Sequence, residues 1–252
     1  MSRKWLNSTI AAAIVLTAAA GFASQSNAVD AVFARSDSST STEASPLTRA
    51  AYPGDPIPGL DELISTLTVV DELPSVPGYE RGCGTGDNCV FGTAWTDKYD
   101  GPLARNGCDT RNDVLKIQLT DVQFKPGTKD CKVVAGTLHD PYTGTDITFS
   151  TSNPSAIQID HVFPLSRSWR AGASTWTPEQ RVKFANDTDL NLLASQGKAN
   201  QSKSDQGPDT WLPANTAFQC EYVTNYMTVA AKYHLTVTAG DINVARSACT
   251  QK

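Results

Sequence analysis

The chain has 252 residues, which is enough for one domain of ordinary size and a tail. Its net charge of −5 is unevenly placed: residues 29–80 hold nine acids and two bases, whereas residues 81–252 hold seventeen of each. The neutral part can carry a local basic face, but this balance excludes a protein that attracts a polyanion through its overall charge.

The first 28 residues are typical of a secretory signal peptide. Arg3 and Lys4 precede an apolar run over residues 10–20, and small residues at 26–28 predict cleavage after Ala28. The run is shorter than the ~20 residues that span a bilayer, and no later segment is apolar enough to do so. We therefore predict a secreted, extracellular protein that has no membrane attachment after cleavage.

Residues 29–58 have the composition of a disordered linker, rich in Ser, Thr, Ala and Pro and too polar to bury a core. Leu60, Leu63, Leu67 and Val70 then recur at helical spacing. A short amphipathic helix is therefore expected to begin the ordered part, a single domain over residues 59–252.

Six cysteines follow the linker, and an even number in an exported chain indicates disulfides. Six cysteines allow fifteen pairings. Proximity in the sequence favours Cys83–Cys89, Cys108–Cys131 and Cys220–Cys249. A zinc site is the alternative, but none of the cysteines forms a Cys-x-x-Cys pair.

Aromatic residues flank the loop that Cys83–Cys89 would close over residues 82–88. Tyr79, Phe91 and Trp95 are expected in the core rather than in a binding site. Beyond Cys108, either Thr110 or Asn112 can cap a helix.

Two strands and a turn are predicted next. Residues 133–138 and 147–149 are apolar enough for strands, and Asp-Pro-Tyr-Thr-Gly at 140–144 is a turn signal between them. A third strand, which begins at Ile157, ends in Asp160-His161 and is stopped by Pro164. Neighbouring side chains of a strand point to opposite faces, so the carboxylate and the imidazole are predicted to diverge.

The last third of the chain alternates helices with one strand. Thr177 and Gln180 form a capping box around Pro178, which predicts a helix to about Ala185. A buried strand over residues 189–194, a turn at Gly197 and a helix through Lys203 follow. Longer helices are predicted over residues 218–233 and 239–249. Strands and helices interleave without a βαβ rhythm, which favours the α+β class.

Asp160-His161 is followed downstream by three polar residues that belong to the same pattern. Asn191 lies on the next strand, Asn200 comes nine residues later, and Lys203 three after that. An Asp-His pair alone is weak evidence, because such a pair is often a surface hydrogen bond. The two asparagines and the lysine downstream make a functional site the better interpretation of the pair.

This arrangement resembles the HNH nuclease motif in its Asp-His…Asn…Asn-x-x-Lys version. Further segments (107–115, 140–144, 184–187 and 211–213) are similar to secreted HNH-family proteins of the DUF1524 group, named for the C-terminal domain of the GmrSD modification-dependent restriction enzyme. The resemblance covers about residues 79–250. The chain departs from many HNH proteins at Asn200, where they have His.

The resemblance implies a ββα-metal (His-Me finger) core, embedded in additional helices and a small antiparallel hairpin. Asp160 and Asn200 would hold one divalent cation through oxygen atoms, with Mg²⁺ favoured and Mn²⁺ or Ca²⁺ as alternatives. His161, neutral at pH 7, would deprotonate the attacking water. Asn191 would hold the His161 loop through backbone hydrogen bonds.

Basic side chains are candidates for phosphate contacts. Lys203 is expected either to neutralise phosphate charge or to lie on a solvated helix face. Arg111, Arg170 and Arg181 are candidate substrate-binding residues, although an arginine on the surface is more often simply solvated.

The sequence thus predicts a monomeric, secreted endonuclease acting on DNA, with RNA as the alternative substrate. A non-catalytic extracellular module that binds nucleic acid or a cell-wall polymer is the competing interpretation. A metallopeptidase is not supported, because the chain has no His-Glu-x-x-His stretch.

Overall fold

A computed structural model describes residues 59–250, so the predicted signal peptide and linker lie outside the described part. The elements, in chain order, are α1 (Leu60–Ser65), β1 (Val69–Val70), α2 (Thr110–Gln118), β2 (Thr120–Phe124), β3 (Val133–Asp140), β4 (Thr145–Ser150), β5 (Ile157–His161), α3 (Leu165–Arg170), a 3₁₀ turn (Ala173–Thr175), α4 (Pro178–Ala185), β6 (Leu192–Gln196), α5 (Gly197–Lys203), α6 (Thr216–Tyr233), β7 (Val237–Thr238) and α7 (Ala239–Thr250). The predicted α+β class is confirmed.

The strands form three small sheets within the described residues. β2, β3 and β4 make an antiparallel sheet, β5 and β6 an antiparallel pair, and β1 and β7 a parallel pair. In the β5–β6 pair, Asp160 lies opposite Leu193 and His161 opposite Leu192. α5 begins directly after β6 and packs against both strands of this pair.

Two apolar clusters meet at the end of β5. Ile157 and Ile159 belong to a cluster built with α2 and the β3–β4 hairpin. Val162 and Phe163, just beyond the strand, belong to a larger cluster built around α6. Polar groups that these clusters bury at the junction are unfavourable unless they find partners inside the protein.

All three predicted disulfides are present: Cys83–Cys89, Cys108–Cys131 and Cys220–Cys249. The first closes the predicted loop at residues 82–88, and the third joins α6 to α7. No helix within residues 59–250 is both long and apolar enough to cross a bilayer.

Several predicted elements are confirmed by their local chemistry. The hairpin turns at residues 140–144, and the capping box at Thr177 starts α4, with Gln180 completing it. The long helix α6 and the last helix α7 match their predicted ranges within a few residues.

Other boundaries were wrong. The first helix ends at Ser65, and Val70 lies in a strand because it pairs with Thr238. The cap of α2 is Asp109, whose carboxylate accepts a hydrogen bond from the backbone N–H of Asn112. Thr110 is already helical and therefore cannot be the cap.

The strand that was predicted to carry Asn191 starts one residue after it. β6 begins at Leu192, and Gly197 is the first residue of α5 rather than a turn before it. Asn191 therefore precedes the strand and is free to bond to other segments. β2 was not predicted from the sequence, and it pairs with β3 through an irregular register.

Candidate active site

A cavity of about 520 Å³ opens at the end of β5. It brings together four of the predicted site residues, Asp160, His161, Asn200 and Arg111. The other lining residues are Tyr79, Arg81, Trp95, Gln158, Ile159, Pro164, Leu165, Ser166, Ser204 and Asp205.

His161 is held in one protonation form. Its side chain is buried, and its Nε2 lies 2.9 Å from the carbonyl oxygen of Ala185. A carbonyl only accepts, so Nε2 carries the proton and Nδ1 keeps the lone pair of the neutral ring. Burial first, and then the charge of Arg81, lower the pKa of His161 to about 3, so the ring is neutral at pH 7.

The face of the imidazole is also fixed. The indole of Trp95 lies nearly parallel to it, with an interplanar angle of 13° and 5.7 Å between ring centroids. Within residues 59–250, no side chain or backbone group hydrogen-bonds to Nδ1 of His161. Nδ1 is therefore available to a water molecule or a substrate.

Asp160 is buried and bonded on both carboxylate oxygens. The Tyr142 hydroxyl donates to Oδ2 at 2.5 Å, and Lys203 Nζ lies 3.0 Å from the carboxylate. Burial raises the pKa of Asp160 and lowers that of Lys203, and their ion pair opposes both shifts. The carboxylate thus has a fixed orientation and a nearby compensating charge.

Asn200 projects from α5 toward Gln158 of β5. Its Nδ2 donates to Oε1 of Gln158 at 3.0 Å, and no residue of the described chain donates to its Oδ1. Gln158 and Asp160 are two positions apart on the strand and therefore share a face. The amide oxygen of Asn200 and the carboxylate of Asp160 consequently serve the same cavity.

Asn191 connects three segments around His161. Its Oδ1 accepts from the backbone N–H of Phe163 at 2.9 Å, and its Nδ2 donates to the carbonyl of Phe184 at 3.3 Å. The backbone carbonyl of Asn191 also accepts from the N–H of Val162. Asn191 thereby ties the segment after His161 to the end of α4, which supplies the carbonyl that His161 bonds.

Lys203 does not lie on a solvated helix face, so that expectation was wrong. Its side chain is 0% exposed and is absent from the cavity wall. The ammonium donates to the carboxylate of Asp160 and, at 2.8 Å, to the carbonyl oxygen of His161. The inner face of α5 packs on β5, and this carries the lysine inward.

Only one of the three arginines proposed for substrate binding reaches the cavity. Arg111 lines it, although its Nη2 donates to the carbonyls of Pro154 and Ile157, both at 3.1 Å. Burial lowers the pKa of Arg111. Part of its guanidinium therefore serves to hold the loop before β5.

Arg170 and Arg181 lie away from the cavity wall. Arg170 pairs with Asp205 at 3.3 Å. Arg181 donates to the carbonyls of Val90 and Trp176. Both side chains are half-buried and make contacts that stabilise the fold.

Sequence reasoning missed four residues at the site. Tyr79 and Trp95 were expected in the core, yet both line the cavity, and Trp95 stacks on His161. Tyr142 lies in the predicted turn, and nothing in its spacing indicated a bond to Asp160. Arg81 precedes the first disulfide loop and carried no motif signal. By contrast, Phe91 is buried in the core as predicted.

Comparisons with known proteins agree on the region that contains this cavity. The model of the family "GmrSD restriction endonucleases, C-terminal domain" matches residues 109–241. An uncharacterized secreted protein of Arthroderma benhamiae is 34% identical over 181 residues, which cover 71% of this chain and 78% of that protein. No solved structure matches. The family match includes Asp160, His161 and Asn200, but it leaves out Arg81 and Trp95.

Proposed function

The chain belongs to the family of the C-terminal domains of GmrSD restriction endonucleases, and on that premise we propose that it is a secreted endonuclease. It hydrolyses phosphodiester bonds of DNA, with RNA as the alternative substrate, and depends on a divalent cation. One observation carries this proposal. His161 is a neutral imidazole with a free Nδ1, in the same cavity as Asp160 and Asn200. Export is supported by the composition of residues 1–28 and by the secreted relative.

The unit β5–β6–α5 supports an HNH assignment. Two antiparallel strands are followed at once by a helix that packs on both, and the motif residues lie on the first strand, before the second strand and on the helix. We take this unit as the ββα-metal core. Asn191 would be its positioning residue, because it fixes the segments on either side of His161.

The donor atoms left in the cavity suit a hard cation. Asp160 and Asn200 offer oxygen atoms, which Mg²⁺ prefers, and Mg²⁺ keeps several waters, so few protein ligands are needed. A carboxylate has about four lone-pair sites, so the bonds from Tyr142 and Lys203 do not fill it. When bound, the cation would supply charge neutralisation at the phosphate and at the departing oxygen.

Lys203 limits how strongly these atoms attract a cation. Its ammonium offsets part of the negative charge of Asp160. Among residues 59–250, no group of three or more His, Cys, Asp or Glu is placed to hold a metal. The remaining negative charge would therefore come from the phosphodiester, which couples cation binding to substrate binding.

The chemical step assigned to this chain's own residues is proton removal from water. Nδ1 of His161 accepts the proton, and the Ala185 carbonyl stabilises the imidazolium that forms. A bound phosphodiester raises the pKa of His161 from its low value, because a nearby anion favours the charged ring. Attack opposite the 3′ oxygen leaves 5′-phosphate and 3′-hydroxyl ends.

A non-catalytic binding module is the second candidate. It is favoured by the buried ion pair of Asp160 with Lys203, which a purely structural carboxylate would also make. Such a module would bind nucleic acid in a salt-sensitive way and would not cleave it.

The test is cleavage of plasmid DNA by the purified mature protein with Mg²⁺, Mn²⁺ or Ca²⁺. We expect EDTA to stop cleavage and His161→Ala to slow it by at least ~100-fold, the lower end of what a positioned base contributes. His139→Ala is the matched control, since His139 is exposed and pairs with Asp146 away from the cavity. Equal activity of His161→Ala and the wild type would reject the mechanism, and binding without cleavage in every metal would support the second candidate.

A further inference from the structure

A second cavity, of about 280 Å³, adjoins the first. The two share four wall residues, Arg81, Trp95, His161 and Leu165. Its remaining wall includes the apolar side chains of Phe91 and Ala185. A chain molecule that reaches His161 from the first cavity therefore meets a mostly apolar recess on the other side of Trp95.

Trp95 stands at the boundary between the cavities in an unusual conformation. Its φ is 57°, in the left-handed region that bulky side chains rarely adopt. Its carbonyl accepts from the backbone N–H of Thr110, which anchors the residue to the start of α2. Such a backbone is kept only where the surroundings enforce it, and it places an aromatic ring against His161.

Arg81 lies on this shared wall, and the N–H groups of its guanidinium can bind a ligand. It is exposed, and within residues 59–250 its guanidinium makes no hydrogen bond or ion pair. Its backbone is nevertheless fixed. The Cys83–Cys89 disulfide closes the loop that follows, and Val90 N–H donates to the carbonyl of Glu80. Arg111, in contrast, already uses part of its guanidinium on backbone carbonyls.

We propose that the second cavity binds one unstacked nucleobase of the strand being cleaved, with Arg81 contacting the phosphate between the two cavities. This inference rests on the proposed endonuclease function and deepens it by naming a substrate class. A base inside a duplex cannot enter a recess without unpairing and unstacking. The preferred substrate is therefore single-stranded or locally unpaired nucleic acid.

The chemistry of the recess fits a base better than a larger ligand. Aromatic side chains bind bases of any sequence because every base has a π-face. The volume lies just below the ~300 Å³ at which pockets for drug-sized ligands begin. One cation beside an apolar aromatic recess matches the two parts of a nucleotide, a charged phosphate and a flat ring.

The experiment uses single-stranded DNA oligonucleotides of one sequence, each with a single abasic residue at a different position. The full-length mature protein cleaves them with Mg²⁺ or Mn²⁺, and the products are mapped bond by bond. We expect a bond beside the abasic residue to be cleaved about tenfold more slowly than the same bond in the intact strand, as loss of one stacked base predicts. Distant bonds of the same molecule are the internal reference.

Variants test whether the residues shared by the two cavities cause the slower cleavage beside the abasic residue. Trp95→Leu should cleave intact and abasic strands at similar, reduced rates, and Trp95→Phe should keep most of the difference because it keeps a ring. Arg81→Gln should raise KM for both strands alike. Arg105→Gln removes the same charge from an exposed arginine that lines neither cavity, and it should leave KM unchanged. Thermal unfolding of each variant checks that it is folded.

The outcomes separate this inference from the function on which it rests. If the wild type cleaves bonds beside the abasic residue as fast as all others, or cleaves a duplex as fast as the single strand, the base subsite is wrong and the endonuclease remains. If plasmid DNA is cleaved but the single strands are not, the base subsite alone is wrong. If neither plasmid DNA nor any oligonucleotide is cleaved in any metal, the proposed function itself fails and the subsite falls with it.

Discussion

The buried polar networks around Arg167 and His161 differ in whether all their hydrogen-bonding atoms have partners inside the protein. Around Arg167, the opposite charges are paired inside the protein. The guanidinium Nε donates to the Tyr226 hydroxyl and Nη2 donates to Asp241, both at 2.7 Å. Asp241 also accepts from the backbone N–H groups of Asp209 and Thr238. Around His161, by contrast, Nδ1 of the ring and Oδ1 of Asn200 have no partner in the described chain.

Burial and charge alone therefore do not identify a functional site. Both networks contain buried ionised groups and carry shifted pKa values. Burial lowers the pKa of His161. Burial also acts to lower the pKa of Arg167, but Tyr226 and Asp241 outweigh it and raise that pKa. Only the His161 network keeps unused hydrogen-bonding capacity next to a cavity. Unused capacity is unfavourable for stability, since buried polar groups normally find partners, and this makes it a better indicator of function.

The largest effect on the free energy of unfolding is expected at the fully paired network. Arg167→Met leaves the carboxylate of Asp241 buried without its charge partner, which should lower the free energy of unfolding by about 3–5 kcal/mol. Cleavage per folded molecule should not change. Urea unfolding followed by circular dichroism measures the first quantity, and cleavage well below the unfolding transition measures the second.

Arg246→Met is the matched control for this variant. Arg246 pairs with Asp61 at 3.0 Å, but the two side chains are 53% and 83% exposed. Removal of such a pair changes the free energy of unfolding by at most about 1 kcal/mol. A loss at Arg246 equal to that at Arg167 would mean that burial does not separate the two pairs.

Tyr142→Phe should affect both stability and activity, because Tyr142 holds Asp160 and lies outside the cavity wall. A hydrogen bond to a charged group contributes about 1.5–3 kcal/mol, and this should be lost. The Mg²⁺ concentration for half-maximal cleavage should rise about 10–100-fold, as when a partner of a metal ligand is removed. A metal titration of cleavage measures the shift.

Tyr222 offers a close control. It is equally buried and packs edge-on against Tyr142, with ring centroids 5.8 Å apart, but its hydroxyl has no hydrogen-bond partner in the described chain. Tyr222→Phe should therefore be neutral or stabilising. If it instead shifted the metal titration as Tyr142→Phe does, general packing would explain the effect and the bond to Asp160 would not.

A smaller stability effect than at Arg167 or Tyr142 is expected at Asn200, despite a large effect on activity. Asn200→Ala removes one half-buried neutral hydrogen bond to Gln158, which is worth about 0.5–1.5 kcal/mol. Cleavage at limiting Mg²⁺ should fall at least ~10-fold. Asn200→Asp keeps an oxygen ligand and should cleave better than Asn200→Ala. Equal cleavage by the wild type and both variants would remove Asn200 from the site.

Local chemistry explains what the sequence could predict. The capping box at Thr177 and the turn at residues 140–144 depend on residues close in sequence, and both are present. The three disulfides, which join cysteines that follow each other along the chain, are present as well. Of the residues in the Asp-His…Asn…Asn-x-x-Lys spacing, Asp160, His161 and Asn200 line the cavity, whereas Asn191 and Lys203 do not. The roles assigned to them stay predictions.

The burial of Lys203 and the position of Trp95 depend on tertiary packing, which sequence patterns do not reveal. Lysines are rarely fully buried unless paired, so the sequence left a phosphate contact and a solvated face as the alternatives for Lys203. The position of α5 on β5 buries its side chain instead. Trp95 looked like a core residue because aromatic residues usually are. Its position on the cavity depends on an irregular loop whose path no periodicity describes.

The short parallel pair of β1 with β7 has a consequence for how the chain folds. Val69, in the first strand of the described chain, pairs with Val237 in the last, so nearly all the described residues lie between the partners. Contacts between such distant residues form late, because the intervening chain must first be closed into a loop. During synthesis, β1 must therefore wait until residues 237 and 238 have been made before it can pair.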